Sequence, residues 1–143
     1  MKQNPESTNR KFTLEEILAA HAKTKTGADF PKYIQEIKAL GLVTYDFFVK
    51  DGIVVYHGEN GYEVKGNSKY GPLTINKTAN AEALKHTIAI HQQGQTDFIT
   101  FCNQAADAGV EKWIIDTPHM VCNYIDLNGN IMVSEPIPTG GYE

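Results

Sequence analysis

The sequence predicts an α+β domain in which two tandem helix-helix-three-strand meander units pack about a pseudo-twofold axis, with an antiparallel sheet. Two observations carry this prediction. Segments of helical periodicity are followed by runs of period-two strands, and the order of the first half returns in the second. The spacing between matching residues is constant: Asp29-Phe30 and Asp97-Phe98 are 68 positions apart, and so are Gly41 and Gly109. We interpret this spacing as an internal duplication whose halves align without gaps from the second helix onward.

The composition is that of one ordinary globular domain. The chain has 143 residues, of which 41% are apolar and 21% charged. Its net charge of -4 repels phosphate backbones, so we expect no nucleic-acid partner. No apolar run approaches the roughly 20 residues of a membrane span, and no signal peptide opens the chain, so we expect no membrane partner. Two cysteines without a C-x-x-C pair fit a reducing compartment, and we expect a cytoplasmic protein.

The domain organisation follows from where the periodic patterns begin and end. Residues 1–11 are polar almost throughout, and we expect a disordered leader. A single domain then spans residues 12–138, with halves at about 12–65 and 80–138 joined by a linker at 66–79. Residues 139–143 are expected to be a flexible tail.

Capping signals place the first two helices. Thr13 to Glu16 forms a capping box, across which Phe12 can pack against Ile17. The second helix starts near Pro31, which is acceptable in a first turn, and ends at Gly41. The apolar faces of the two helices comprise Leu14, Ile17, Leu18 and His21, then Ile34, Ile37 and Leu40.

The first meander is predicted from alternation and from turn dipeptides. Asp51-Gly52 should join the strand that ends near Lys50 to the strand Ile53–His57 through a two-residue turn, because both positions favour positive φ. Asn60-Gly61 should turn the chain again before the strand Tyr62–Val64. On the first strand Tyr45, Phe47 and Val49 should point one way and Thr44, Asp46 and Lys50 the other, with Phe48 as an exception.

The second half repeats this order. Asn80 should cap a third helix, and Thr96 or Asp97 a fourth that ends at Gly109. Asn128-Gly129 should turn the last strand pair. The expected strands are Lys112–Asp116, Met120–Asp126 and Ile131–Glu135.

Several separated motifs resemble one family of bacterial proteins. They are T-x-E-E-I at Thr13 to Ile17, A-H-A-K-x-K-x-G-A-D-F-P at Ala20 to Pro31, H-Q-Q-G at His91 to Gly94 and G-x-E-K-W at Gly109 to Trp113. Together they resemble the DUF1398 family, also called YbcV-like. The resemblance implies a compact α+β domain and transfers no catalytic residue, because the family has no assigned function. Some members carry a phage envelope label.

The histidines His21 and His91 are candidate catalytic residues, because the duplication would put both on the buried side of equivalent helices. If they converge near the axis, they could hold a metal ion or an anion, or form a titrating pair. Alternatively, each hydrogen-bonds a local backbone carbonyl. Asp29 and Asp97 are the carboxylates that would complete an acid-base set at the seam between the halves. No metal-binding spacing occurs, and we expect neither a metal nor a cofactor.

Tyrosines and cysteines offer further candidates. Tyr56 and Tyr124 match in the two halves, and Tyr70 lies in the linker; these three are candidate ligand-binding residues. The linker is either a simple crossover or a segment that folds over the seam with Tyr70 as its lid. Cys102 and Cys122 are expected to be buried and inert.

These observations leave three classes of function open. The first is a non-catalytic binding or protein-interaction domain, with Phe48 and Tyr62 as an exposed contact surface. The second is a small-molecule enzyme that uses the histidine and carboxylate seam, and the third is a phage-related structural component. We also expect a homodimer, because several strands carry apolar residues on both faces and a second face needs a cover. A sandwich of the two halves would provide that cover within one chain.

Overall fold

The computed structural model describes residues 12–24 and 29–137. Within them the α+β class and the antiparallel sheet are confirmed. The predicted leader and tail lie outside the described residues. The helices are α1 (Leu14–Ala22), α2 (Phe30–Ala39), α3 (Ala81–Gln92) and α4 (Phe98–Asp107). The strands are β1 (Thr44–Phe48), β2 (Val54–His57), β3 (Glu63–Lys65), β4 (Val110–Asp116), β5 (Val121–Asp126) and β6 (Ile131–Pro136).

The helix starts are those that the capping residues predict. At α1 the Thr13 side chain accepts from the Glu16 amide while the Glu16 carboxylate accepts from the Thr13 amide, which completes the capping box. Phe12 and Ile17, on either side of this box, are both fully buried. Asn80 caps α3 by accepting from the Ala83 amide.

The two meanders join edge to edge in one six-stranded sheet of order β3-β2-β1-β4-β5-β6. All neighbouring strands are antiparallel, and β1 pairs with β4 at the centre. This single sheet replaces the sandwich that was the alternative to dimerisation.

The register of the central pair is symmetric about one position. Asp46 lies opposite Ile114, and the flanking pairs are Tyr45 with Ile115 and Phe47 with Trp113. A twofold axis between halves offset by 68 positions requires this register, since Asp46 and Ile114 are themselves 68 positions apart. The common origin of the halves stays a prediction.

Positive φ angles recur at that same offset. Gly52 has φ 75° and Met120 has φ 51°, at the ends of the β1–β2 and β4–β5 loops. Gly41 and Gly109, after α2 and α4, have φ 106° and 95°. The alignment is not free of gaps, however, because β6 carries an additional residue where its register against β5 shifts next to Tyr124.

The expected two-residue turn at Asp51-Gly52 is wrong. The Phe48 amide donates to the Ile53 carbonyl at 2.9 Å, so four residues form the loop, and only Gly52 among them has a positive φ. Asp51 instead accepts from the Ile53 amide through its side chain at 3.1 Å. This local side-chain bond gives Asp51 a role that needs no left-handed backbone.

One face of the sheet carries the core. Alternate residues of the strands are buried there against the helices, and the two pairs of helices lie on this same side. From the first pair, Tyr33 of α2 lies close to Tyr45 and Tyr56 of the sheet. From the second pair, the Phe98 ring of α4 lies 5.5 Å from the Phe47 ring of β1, and Gln92 of α3 donates to Glu135 of β6 at 3.0 Å. The buried strand residues are Tyr45, Phe47, Val54, Tyr56, Trp113, Ile115, Cys122 and Tyr124. We call this the helix-covered face and the opposite side the open face.

Candidate functional site

His91 is held within its own half. Its Nδ1 lies 3.0 Å from the Thr96 backbone oxygen and 3.1 Å from the Thr96 hydroxyl, and its ring stacks on Phe101 with centroids 4.6 Å apart. These contacts join the end of α3 to the start of α4. A hydrogen bond to a local backbone carbonyl is the alternative to a catalytic role that the sequence left open for His91.

His21 was expected on the buried side of α1, and this was wrong. The buried side of α1 is centred on Ile17 and Ala20, which turns His21 and Leu18 outward; Leu18 is 50% exposed. The imidazole makes an edge contact with Tyr33 of α2, with centroids 5.3 Å apart. Burial of part of the ring, followed by the charge of Lys69, lowers the pKa of His21.

The two aspartates occupy the N-cap positions of α2 and α4. Asp97 accepts from the Thr100 amide at 2.9 Å, and its hydrogen bonds to Thr100 lower the pKa of this carboxyl. Asp29 stands at the N-cap of α2 without a side-chain bond to the first turn. Asp97 therefore has a structural role that accounts for its type and position.

The three candidate tyrosines lie on the helix-covered side. Burial raises the pKa of Tyr56 to about 12 and raises that of Tyr124 well above its ordinary value. Tyr70 of the linker donates from its hydroxyl to the Val49 carbonyl at 2.7 Å and lies near the Cys102 thiol. Because Val49 belongs to the first half and Cys102 to α4, Tyr70 bridges the halves.

Both cysteines are buried, as expected, and their chemistry follows from that. Burial raises the pKa of Cys102 to about 11 and that of Cys122 to about 12. The thiols are therefore neutral near pH 7, and a neutral thiol is a poor nucleophile. Among the described residues no group of three His, Cys, Asp or Glu side chains is arranged to hold a metal ion.

The open face differs in character from the helix-covered face. A groove of about 560 Å³ lies at the loop end of β1 and β2. Its apolar lining includes Phe48, Ile53 and Val55, and its charged lining includes Lys65 and Glu63. Phe48 is half-buried, with the Lys112 ammonium 5.5 Å from its ring centroid.

Tyr62 does not share that face with Phe48. Its hydroxyl donates to the Phe12 carbonyl at 2.5 Å, and the two rings meet edge-on with centroids 5.1 Å apart. This contact ties the segment before α1 to the end of the first meander. The prediction that Tyr62 shares an exposed contact surface with Phe48 is therefore wrong.

Sequence reasoning overlooked Lys69. This lysine approaches the ring of Phe47, which stacks on Trp113 with centroids 4.2 Å apart and planes at 5°. The available hint was its position next to Tyr70 in the long irregular connection between the halves. Nothing in local sequence reports that this connection returns to the β1–β2 loop, where Lys69 meets Gly52.

Comparison with known proteins agrees with the motifs. A family model described as "Protein of unknown function (DUF1398)" matches residues 18–136. The chain belongs to this family. The Escherichia coli (strain K12) protein described as "Uncharacterized protein YcgX" is similar to it, with 22% identity over 111 residues that cover 76% of this chain and 81% of that protein. In the described part of this DUF1398 member, no helix has the length and apolar character to cross a membrane.

Proposed function

We propose that this protein is a non-catalytic binding domain of the cytoplasm that acts as a homodimer, with the open face of its sheet as the contact surface. The observation that carries the proposal is the one-sided placement of the helices. Phe48, Val55 and Ile114 lie on the open face by strand alternation and register, and all three are half-buried. Contact with a second protein would remove this apolar surface from water.

The charges on the open face fit contact with a second copy. A twofold interface brings a patch against the same patch of its partner, so a patch of one sign would repel itself. The groove combines the cations Lys50 and Lys65 with the anions Glu63 and Glu111. Both signs are therefore available for complementary pairing at the rim.

The roles of the polar candidates support a binding domain over an enzyme. Asp97 caps a helix, His91 bonds a local carbonyl, and the Cys102 thiol is kept neutral by burial. Each group has a structural partner that explains it without a reaction. The neutral, buried thiols also favour the reducing cytoplasm as the location.

Sedimentation velocity at micromolar concentration tests the proposal. We expect the wild-type protein at twice the 15.9 kDa of one chain, and Phe48→Lys and Ile114→Lys as monomers, because each places a cation in the contact. Leu18→Lys is the matched control, because Leu18 is exposed on a helix. It should leave the dimer intact, and circular dichroism should show that all variants are folded.

Three outcomes would contradict the proposal. If the wild-type protein stays at 15.9 kDa as concentration rises, the apolar residues of the open face do not need a second copy to cover them. A dimer that survives both lysine substitutions uses another surface. A species well above a dimer would instead favour a structural component of a larger assembly.

A further inference from the structure

Lys69 brings a cation to the helix-covered side of the sheet, away from the proposed dimer surface. Its Nζ donates to the Gly52 carbonyl oxygen at 3.0 Å and lies 5.8 Å from the centroid of the Phe47 ring. That ring distance is near the limit of about 6 Å for a cation–π contact. An ammonium group has three N–H donors, so two remain for a ligand once Gly52 has taken one. The lysine is exposed enough for a ligand to reach it.

The pKa of His21 responds to the charge of Lys69. The charge of Lys69 contributes to the lowered pKa of His21, and burial lowers the pKa of Lys69 itself. Tyr70 and Cys102, which lie near Lys69, are both neutral near pH 7. Asp51 lies in the loop that Lys69 contacts, and its carboxylate accepts from the Ile53 amide at 3.1 Å. In the described ranges neither Lys69 nor His21 forms an ion pair with a carboxylate. A bound anion would therefore supply the opposite charge at this position.

Aromatic surface adjoins the lysine. Phe98 contacts the edge of the Phe47 ring with centroids 5.5 Å apart, and Trp113 stacks on that ring at 4.2 Å. Phe98 is 45% exposed although its ring lies in this aromatic cluster. A flat apolar group placed against Phe98 would bury this surface and add ring contacts.

We propose that Lys69, Phe47 and Phe98 form a binding site for a small organic carboxylate with a flat apolar body. The carboxylate accepts from the Lys69 ammonium, and the body packs against Phe98 at the edge of the Phe47 ring. The cluster joins both halves and the linker, so it exists only in the assembled domain. The site is independent of the dimer surface, because it lies on the opposite face of the sheet.

Benzoate and benzamide are the matched probes, because they share a ring and differ in charge. We expect calorimetric titration of the full chain to show that benzoate binds at least about 10-fold more tightly than benzamide, since charge-assisted hydrogen bonds are the stronger kind. Lys69→Gln should weaken benzoate binding about 10-fold or more. Lys85→Gln, which removes an equal charge from the exposed surface of α3, should leave it unchanged.

Imidazole resonances provide a second readout that does not depend on affinity alone. By NMR, saturation with benzoate should raise the pKa of His21, and Lys69→Gln should raise it without any ligand, because each change opposes or removes the positive charge that lowers it. Phe98→Ala should weaken benzoate more than acetate. Equal binding of benzamide, an unaffected His21 pKa, or no binding of benzoate at millimolar concentration would overturn the assignment.

Discussion

The two halves of the chain meet the same backbone demands with different residues. The β1–β2 loop ends in Gly52 at φ 75°, whereas the β4–β5 loop ends in Met120 at φ 51°. Glycine adopts left-handed backbone angles without steric strain, whereas the same angles cost methionine about 1–2 kcal/mol. Met120 is only 8% exposed, and the burial of its side chain offsets this strain. The halves therefore show that backbone geometry can be kept while the residue that satisfies it changes.

Their helical layers differ in a similar way. Each half has a histidine at the end of its first helix that contacts an aromatic residue of its second: His21 with Tyr33, and His91 with Phe101. Yet His21 is exposed and His91 half-buried. The second half also has thiols, Cys102 and Cys122, at the positions where the first half has Ile34 and Val54. These differences make the comparison testable.

The largest effect is expected where a turn glycine also meets other backbone atoms. At Gly109, φ is 95° and an added Cβ would lie 2.8 Å from the Ala79 Cα and 3.0 Å from the Thr78 oxygen. Gly109→Ala should lower the free energy of unfolding by about 3 kcal/mol, as strain and overlap combine. Urea denaturation measures this loss.

Gly129 is the matched control for that substitution. Its φ is 84°, but an added Cβ would meet nothing within 4 Å. Gly129→Ala should therefore cost only about 1 kcal/mol. Equal losses for the two variants would show that the close approach of the linker to Gly109 contributes nothing to stability.

An intermediate effect is expected at alkaline pH, and it should arise in the second half. The fold holds the pKa of the Cys122 thiol at about 12 against an ordinary 9.0, so folding favours the neutral form. Its contribution is fully present below pH 9 and is lost as pH rises toward 12. Between pH 8 and 10.5 the free energy of unfolding should fall by about 2 kcal/mol from this group.

Cys122→Val separates this thiol from the buried tyrosines, which also oppose ionisation. Valine is the residue at the matching position of the first half, Val54, so the change is apolar and of similar size. The variant should keep more of its stability at pH 10.5 than the wild type does. Parallel pH profiles for the two proteins would assign the alkaline loss to the tyrosines alone.

The smallest effects are expected at the helix caps. Thr13→Ala removes one half of a reciprocal capping box, whereas Asn80→Ala removes a single cap bond. Each should lower the free energy of unfolding by about 1 kcal/mol, with the larger loss at Thr13. Thr13→Ser and Asn80→Asp retain an acceptor oxygen and should recover most of the loss. A greater loss at Asn80 would reverse the expected order of the two caps.

Local signals in the sequence predicted the elements well, because caps and alternation act over a few residues. Thr13, Asn80 and Asp97 begin helices as expected, and Tyr45 and Phe47 point to the core as alternation requires. The errors arose where distant contacts decide. The loop between Phe48 and Ile53 bonds to distant segments: the Val49 amide donates to the Glu111 carbonyl, and the Lys69 amide donates to the Asp51 carbonyl.

The candidate site was less predictable than the fold for the same reason. His21 lies outside the buried face because α1 packs through Ile17 and Ala20. Which face of α1 is buried depends on the elements that it packs against, and these are distant in the sequence. Lys69 reaches Phe47 only because the linker returns to the first loop. No periodicity in the linker carries that information.

The central pairing of β1 with β4 has a consequence for how the chain is made. The paired residues are more than sixty positions apart, so β1 leaves the ribosome long before β4 exists. Until then Thr44–Phe48 is the unprotected edge of a three-stranded meander, with backbone donors and acceptors open to any extended chain nearby. Closing the sheet also requires a long loop to form before the pairing is gained. The period during synthesis between these two strands is thus when the nascent chain is most exposed to aggregation.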